Sequence, residues 1–460
     1  MKKITNLNIA IFIDRDVTIR HFLDSNVFTD LKKNNKVKLI FPPIGDKRIN
    51  NHQDPDKFGY DYEFIKIPER RIQLWKWIFY IKILTYKRGE DWKEIRKVFS
   101  VGVGKKMSIF FRISSLPVIR FFVINFIKFI INKYKIENLY SFFNDFKPDV
   151  IIHPSIFQGV YINELALLAK EFDVPYILLM NSWDNPCLKN TSIYQPTIVG
   201  VWGEQTKYHA HKYMGLPQNK IKILGAAQFQ CFNDEYIKTR EMILKQYQFP
   251  SESILILYAG SSQGNDEFRH LLYLEEICKE LDKNIRIIYR AHPWMSDIET
   301  SRKILNLNSN IIKLDNLMVP LMKKILVENV NSFFTTDYKY THDLLGAADI
   351  VISPLSTILI EALCHGKEAI CLIPEDEESD IFFKNKKSLP CFKDVIESKS
   401  INTIKNIENL KEVLISSYKK CKVPENSLIN KKNSNYFVDM NYPPYKERLF
   451  DCIDEVVSNK

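Results

Sequence analysis

The feature that most constrains the fold is the segment Asp343–Gly366, DLLGAADIVISPLSTILIEALCHG. It combines a helix end, a short apolar strand at Asp349–Ile352, a hydroxyl-rich turn with Ser353, Ser356 and Thr357, and a second helix. An apolar strand that runs through a short turn into a helix is typical of a parallel sheet covered by helices. The segment therefore predicts an α/β domain.

The same segment also predicts a binding chemistry. Hydroxyl groups at the start of a helix add donors to the backbone N–H groups there, and both suit phosphate. Glu361 follows Thr357 by one helical turn, where a carboxylate accepts hydrogen bonds from a ribose diol. We therefore predict that Ser353, Ser356, Thr357 and Glu361 hold a nucleotide at the carboxyl end of the sheet. The alternative is structural, because Ser and Thr also cap helices and Glu compensates the helix dipole.

Two further predicted strands end in polar, turn-forming residues. One is ILILYAGSS, where glycine permits backbone geometry that other residues avoid, and the other is IRIIYRAHPW, where proline fixes the backbone after a histidine. The arginine of the second segment could add positive charge to the nucleotide site, and the alternative is that it forms a structural ion pair. The candidate nucleotide-binding residues of these two loops are Gly260, Ser261, Ser262, Arg290 and His292.

Composition is consistent with a large enzyme. A chain of 460 residues with 45% hydrophobic content accommodates two large α/β domains. Its eight Cys include no Cys-x-x-Cys pair, which indicates neither zinc nor a disulfide framework and suits a reducing cytoplasm. Asp-x-Asp occurs at Asp14–Asp16 and Asp54–Asp56, far from the predicted nucleotide loops, so we predict no metal site. No apolar run reaches the roughly 18 residues of a spanning helix.

Positive charge is concentrated in residues 66–135, which hold 17 Lys and Arg against 4 Asp and Glu in a chain of net charge +10. Aromatic residues are interleaved with these cations, and residues 118–135 leave a wide apolar face. This pattern suits an anionic membrane surface, where rings lie at headgroup depth and cations meet lipid phosphates. The alternative is a core helix with a solvated basic edge. No nucleic-acid motif is present, so we predict no nucleic-acid partner.

Strand and helix patterns alternate along the chain, which predicts two parallel-sheet domains. The predicted strands lie near residues 7–13, 36–41, 149–153, 176–180, 198–202, 221–224, 254–258, 286–289, 350–352 and 369–372, and the Lys/Asn/Ser-rich residues 430–435 predict a loop. We expect a first domain over residues 1–230 with the basic, aromatic insertion 66–135. A nucleotide-binding domain follows over 231–440, and a C-terminal helix over 441–460 can return to the first domain.

Six segments together resemble two-Rossmann-domain, GT-B-type glycosyltransferases, in particular bacterial surface carbohydrate (capsule or O-antigen) biosynthesis proteins. They are Asn181–Asn185, Val201–Trp202, Ile223–Phe229, Tyr258–Ser262, Arg290–Pro293 and Ser353–Thr357 with Glu361. The resemblance implies two Rossmann-like domains that face each other across a cleft and metal-independent transfer. It also implies that residues 1–230 are the acceptor-side domain and that residues 231–440 bind the nucleotide-sugar donor.

The donor's base stays open. The His-Pro and Ser/Thr pairs also resemble elements of bacterial sialyl-, Kdo- and polyglycerol-phosphate transferases, in which they bind a cytidine nucleotide. Glu361 resembles the ribose-binding Glu of uridine-nucleotide members, so UDP- and CMP-type donors are both retained. The segment also resembles UDP-N-acetylglucosamine 2-epimerases, but Ser356–Ile358 replaces their Ser-Gly-Gly turn.

An inverting transfer needs a general base from the first domain. Asp16 and His21, in the loop after the first strand, are candidates, with a helix cap and a surface histidine as the alternatives. Trp183, Asp184 and Asn185 follow another strand end. We expect Trp183 to stack on a sugar, Asp184 to orient hydroxyls as a catalytic group and Asn185 to contact the acceptor, with an exposed turn as the alternative. The strand end at His153 is a further candidate.

These observations predict a cytoplasmic glycosyltransferase that is peripheral to the inner face of the cell membrane. It would move a sugar to a lipid-linked or oligosaccharide acceptor in capsule or lipopolysaccharide synthesis, with no cofactor beyond the nucleotide sugar. The alternatives are a CDP-polyol phosphotransferase, a UDP-sugar 2-epimerase and a non-catalytic nucleotide-sugar-binding subunit.

Overall fold

The computed structural model describes residues 5–44, 46, 55–85, 90–155, 157, 159–189, 192–261, 265–293, 298–328, 337–377 and 387–459. The chain divides into two compact units. The first unit comprises Met1–Gln228, Leu389–Cys391 and Asp439–Lys460, and the second comprises Phe229–Ser388 and Phe392–Val438.

In the described part of the first unit, seven parallel strands form one sheet in the order β3-β2-β1-β4-β5-β6-β7. Chain order therefore reverses between β1 and β4, which are neighbours in the sheet. The strands are β1 (Asn8–Phe12), β2 (Lys36–Phe41), β3 (Asp61–Phe64), β4 (Val150–Ser155), β5 (Tyr176–Met180), β6 (Ile198–Val201) and β7 (Ile221–Ile223).

The described second unit repeats this plan with six parallel strands in the order β10-β9-β8-β11-β12-β13. Its reversal lies between β8 and β11. The strands are β8 (Ile254–Ala259), β9 (Ile285–Arg290), β10 (Ile312–Leu314), β11 (Ile350–Ser353), β12 (Glu368–Leu372) and β13 (Ile401–Ile404). The predicted fold class of two parallel-sheet α/β domains is confirmed.

Helices lie in most of the connections between strands, as is usual for parallel pairing. Those described are α1 (Asp16–Thr18), α2 (Glu69–Thr85), α3 (Glu90–Val103), α4 (Lys105–Ser114), α5 (Pro117–Lys133), α6 (Glu137–Phe146), α7 (Ile162–Glu171), α8 (Glu204–Met214), α9 (Arg240–Gln246), α10 (Glu267–Leu281), α11 (Ile298–Leu305), α12 (Val319–Glu328), α13 (Tyr338–Ala347), α14 (Ile358–Cys364), α15 (Pro390–Ile396), α16 (Leu410–Lys420), α17 (Pro424–Ser434) and α18 (Tyr445–Ser458). Two π-helical turns cover Ile19–Leu23 and Asn185–Lys189, and 3₁₀ turns cover Leu31–Lys33, Pro55–Phe58, Gln218–Lys220, Ala227–Asn233, Glu375–Glu377 and Ile407–Asn409.

The C-terminal helix α18 belongs to the first unit. Its buried residues Leu449 and Ile453 lie in the same hydrophobic cluster as Ile9 and Ile11 of β1. The expected return of the C-terminal helix to the first domain is therefore observed, because its apolar stripe completes one face of the first sheet.

Several elements differ from the sequence prediction. The strands β3, β10 and β13 were not foreseen; each is the edge of its sheet, and each has partly exposed residues instead of a continuous apolar run. Residues 430–435 were expected to form a loop, but α17 extends to Ser434, where Asn430 donates to the carbonyl oxygen of Lys367 at 3.1 Å. Tertiary contact overrides weak local helix propensity here.

A disulfide joins Cys187 to Cys391, 204 residues apart in the chain. Both cysteines belong to the first unit. The sequence analysis did not predict this disulfide. The spacing of cysteines along the chain does not show which distant cysteines come together when the chain folds.

Candidate functional site

The reversal point of the second sheet gathers the predicted nucleotide loops. Tyr258 of β8 is level with Tyr289 of β9 and with Ile352 of β11. The residues that end or follow these strands, among them Gly260, His292 and Ser353, therefore lie at one edge of the sheet. Carboxyl ends at a reversal point are where ligands bind in open α/β sheets. Ser262 lies outside the described residues.

The turn after β11 offers hydroxyl groups. The Ser353 side chain is fully buried, and its Oγ has no hydrogen-bond partner among the described residues. Ser356 and Thr357 are half-buried, and Thr357 precedes α14 without a side-chain capping hydrogen bond. The capping alternative therefore does not account for Thr357. Helix α14 has only seven residues, so its dipole is a weak argument for phosphate binding. The argument rests on the hydroxyl groups of the turn.

The Gly260 loop is held by a residue that sequence reasoning missed, Glu267 at the start of α10. One Glu267 carboxylate oxygen accepts the Ser261 N–H at 2.5 Å, and the other accepts the Tyr289 hydroxyl at 2.6 Å. A Cβ atom at residue 260 would lie 2.5 Å from this carboxylate, so any residue other than glycine would require the Glu267 side chain to shift. The Ser261 N–H is thus engaged by Glu267, and its use for phosphate stays a prediction that requires Glu267 to move.

Arg290 ends β9 and is buried. Its guanidinium donates to Thr341 Oγ1 of α13 at 2.9 Å, and its Nε lies 3.8 Å from an Asp315 carboxylate oxygen. The structure therefore places Arg290 in the structural ion pair that was the alternative to donor binding. The half-buried His292 follows two residues later.

Glu361 is buried on α14, and its backbone carbonyl belongs to a chain of contacts. The carbonyl contacts His365 Nδ1 at 2.8 Å, and His365 Nε2 contacts His342 Nδ1 at 2.8 Å. Burial lowers the pKa of His342 and lowers the pKa of His365 to about 3. Both imidazoles are consequently neutral at pH 7, and they fix the backbone of α14 without adding charge.

The predicted base candidates of the first unit lie directly after β1. Asp16 is the first residue of α1, and the Arg15 N–H before it donates to Thr18 Oγ1 at 3.2 Å, so Asp16 is not the cap. His21 lies in the π-helical turn and is 7% exposed. The surface-histidine alternative is therefore wrong, and the catalytic roles of both residues stay predictions.

The turn after β5 is buried. Trp183, Asp184 and Asn185 are at most 5% exposed, so the exposed-turn alternative is wrong. Asn185 Oδ1 accepts the N–H groups of Asn181 and Ser182 at 3.1 and 2.9 Å, and its Nδ2 donates to Asp184 at 3.2 Å. Asn185 thus shapes this turn, while stacking by Trp183 and hydroxyl orientation by Asp184 stay predictions.

Sequence reasoning placed Asp14 in the loop where a general base was expected without naming it a candidate, and left His153 as a further strand-end candidate. Both are fully buried at the reversal point of the first sheet, with Asp14 Oδ2 3.7 Å from His153 Nε2. The only sequence signal was that each residue stands at a strand end. Which strand ends become neighbours depends on strand order, which the sequence did not give.

Helices α4 and α5 carry a large exposed apolar face. Phe121, Phe122, Phe126 and Phe129 of α5 are each more than 60% exposed. The other members of this apolar face are Ile109, Phe110, Ile113, Leu116 and Val118. In the described chain no single helix is long and apolar enough to cross a membrane, but 106–114 and 117–133 pass that test as a pair bent by 98°.

Comparisons with known proteins are informative at the level of the fold. No protein-family model and no curated protein matches the chain. A Listeria monocytogenes structure assigned as a UDP-N-acetylglucosamine 2-epimerase covers 99% of this chain and 98% of its own, with 11% identity and a TM-score of 0.54. A Rickettsia africae glycosyltransferase structure covers 100% of both chains, with 11% identity and a TM-score of 0.52. The chain has the GT-B-type fold.

A third structure with this fold is Staphylococcus aureus MnaA, solved with UDP. It covers 98% of this chain and 96% of its own, with 10% identity and a TM-score of 0.52. Transferase and epimerase structures thus share the GT-B-type fold, so fold alone does not choose between these activities. Metal independence likewise stays a prediction.

Proposed function

We propose that this chain is a glycosyltransferase that moves a sugar from a nucleotide-activated donor to a lipid-linked acceptor in bacterial surface polysaccharide synthesis. The observation that carries the proposal is the meeting of three strand ends at the reversal point of the second sheet. There the buried Ser353 hydroxyl lacks a hydrogen-bond partner among the described residues. Ser356 and Thr357 follow the end of β11 within a few residues, and His292 follows the end of β9 in the same way.

The chemistry follows from the charge that develops during transfer. When the anomeric bond breaks, negative charge builds on the leaving nucleotide, and preorganised hydrogen-bond donors stabilise it. Ser353, Ser356, Thr357 and His292 supply such donors, and Glu361 is the acceptor for a ribose diol. Glu267 gives the neighbouring loop its shape by holding the Ser261 N–H.

Replacing Ser356 by Ala together with Thr357 by Val should weaken binding of the preferred nucleotide at least about tenfold, because a hydrogen bond to a charged group contributes about 1.5–3 kcal/mol. Calorimetry with CMP, CDP and UDP measures this loss and identifies the base. The control is Ser251→Ala, an exposed hydroxyl that precedes β8 at the opposite edge of the same sheet.

The same preparation separates the activities. Acceptor-dependent release of nucleotide supports a transferase. Conversion of a UDP-sugar into its 2-epimer without acceptor, or transfer of a polyol phosphate from a CDP-linked donor, contradicts the proposal. Binding of none of the three nucleotides contradicts it as well.

The proposed transferase is peripheral to the inner face of the cell membrane, and the apolar face of α4 and α5 is the contact. Monomers rarely expose so many large apolar side chains on neighbouring helices. Lys106, Arg112 and Lys133 are exposed on the same two helices, and cations beside apolar rings favour anionic lipid over a neutral partner. This arrangement suits an acceptor that is itself anchored in lipid.

Replacing Phe121 and Phe122 by Ser should reduce partition onto anionic phosphatidylglycerol vesicles about 100-fold or more, because each phenylalanine loses about 1.5–3 kcal/mol of apolar burial. Vesicle co-sedimentation measures the change. The matched control is Leu428→Ser with Ile429→Ser, an equally adjacent exposed pair at 70% and 53% on α17 of the second unit. Equal binding of both variants, or equal binding of wild type to neutral vesicles, contradicts the proposal.

A further inference from the structure

The carboxyl edge of the first sheet contains buried polar atoms that form no hydrogen bond with the part of the chain that the structure describes. Asp14 follows β1, and His153 lies in β4, the neighbouring strand across the reversal point. Both side chains are fully buried. Among the described residues, neither carboxylate oxygen of Asp14 nor His153 Nε2 has a hydrogen-bond partner. Asn181, which directly follows β5, is a third such residue, because its Oδ1 also has no hydrogen-bond partner among the described residues.

The distance between Asp14 and His153 indicates what belongs between them. Asp14 Oδ2 and His153 Nε2 are 3.7 Å apart, which is too far for a hydrogen bond. It is close enough for one oxygen atom to lie within hydrogen-bond distance of both. Burying a carboxylate without hydrogen bonds is costly. A hydroxyl group offsets this cost, because it donates to the carboxylate and accepts from the imidazole.

Neighbouring residues hold this pair in the geometry that a hydroxyl needs. The Tyr176 hydroxyl lies 2.9 Å from His153 Nδ1. Burial, and next the charge of Asp14, raise the pKa of Tyr176 well above its usual value, so the phenol keeps its proton and can donate to Nδ1. Nε2 then carries the imidazole hydrogen on the side of Asp14.

Gly159 contributes by lacking a side chain. A Cβ atom at residue 159 would lie 1.9 Å from Asp14 Oδ2 and 2.7 Å from Ser155 Oγ. Only glycine allows the chain to pass this close to the carboxylate. The chain at residue 159 therefore restricts the orientation of Asp14.

We propose that Asp14 and His153 hold the reacting hydroxyl of a polyhydroxylated acceptor, and that Asp14, in place of the predicted bases Asp16 and His21, takes its proton. This inference rests on the proposed transferase function. The acceptor O–H bond breaks and its proton passes to Asp14, while the oxygen forms a bond to the anomeric carbon. The bond from that carbon to the donor phosphate breaks, and the leaving nucleotide keeps the electron pair. The His153 N–H donates to the attacking oxygen, Tyr176 is a positioning residue, and the Asn181 oxygen accepts from a second acceptor hydroxyl.

The assignment is tested by replacing Asp14 with Asn, which keeps the shape of the side chain and removes the proton acceptor. The acceptor-dependent kcat should fall about 10²–10⁴-fold, the usual contribution of a general base. Nucleotide affinity measured by calorimetry should not change. Asp61→Asn, at an exposed position of β3 in the same sheet, is the matched control.

Tyr176→Phe and His153→Gln keep the inference testable if the Asp14→Asn variant does not fold. Tyr176→Phe should lower kcat with little change in the KM for the donor and should shift the pH profile, which a purely structural hydroxyl would not do. If the folded D14N variant transfers sugar at the wild-type rate, or if only its melting temperature falls, the inference is wrong while the proposed function stands. If wild type binds no nucleotide and transfers no sugar, the proposed function itself fails.

Discussion

Replacing Leu449 and Ile453 together by alanine should lower the free energy of unfolding of the first unit by about 4–10 kcal/mol, since each large-to-small change in a core costs about 2–5 kcal/mol. The two residues lie one turn apart on α18 and are 1% and 0% exposed. They pack in the cluster that contains Ile9 and Ile11 of β1. Because single domains are stable by about 5–15 kcal/mol, much of the variant should be unfolded.

Urea denaturation followed by tryptophan fluorescence measures this loss, and limited proteolysis reports which unit opens. Asp451→Ala is the control, because Asp451 lies on the exposed side of the same helix. It should change the free energy of unfolding by no more than about 0.5 kcal/mol. A double variant as stable as wild type would mean that α18 does not complete the first core.

Replacing Glu164 by alanine should cost about 3–5 kcal/mol, because it leaves a buried cation without its partner. Glu164 of α7 accepts from Arg71 Nε at 2.6 Å and from Trp75 Nε1 at 2.5 Å. Arg71 also donates to the carbonyl oxygens of Ile131 and Tyr134, at 2.6 and 3.1 Å. The Glu164 carboxylate thus joins α2 to α7, and the Arg71 guanidinium joins both to the end of α5.

Thermal unfolding measures the loss, and hydrogen exchange locates it, with faster exchange expected in α2 and α5. The matched control is Glu171→Ala on the same helix, which removes a partly exposed ion pair with Lys135 at 2.5 Å. Exposed pairs contribute about 0–1 kcal/mol, so this control should remain near wild type. Equal losses of stability in the two variants would show that the contacts of Arg71 with Glu164 stabilise the fold no more than an exposed ion pair does. Loss of vesicle binding in E164A alone would link the network to the membrane surface.

The sequence predicted the central strands well, and the reason is physical. Strands such as β5 and β8 are buried on both faces of a parallel sheet, so they appear as short, continuous apolar runs. The edge strands β3 and β13 lack that signal, because one side of each is open and polar residues are tolerated. Helix α17 was missed because its composition is polar and its position depends on contacts with β12.

The candidate site divides in the same way. The loops with Ser356, Thr357 and His292 were predicted because each follows an apolar strand. The residues that form such a turn are adjacent in the sequence. Glu267 was missed because its contacts with Ser261 and Tyr289 exist only after α10 has packed on the sheet.

By itself the sequence determined the alternation of strands and helices, the hydroxyl-rich strand ends and the basic, aromatic character of residues 66–135. All three depend on side chains a few positions apart. Only the tertiary structure decided that Asp14 meets His153 and that Arg71 meets Glu164. Strand order and helix packing bring these partners together, and the free energy that fixes both comes from burial of apolar residues distributed over the whole unit.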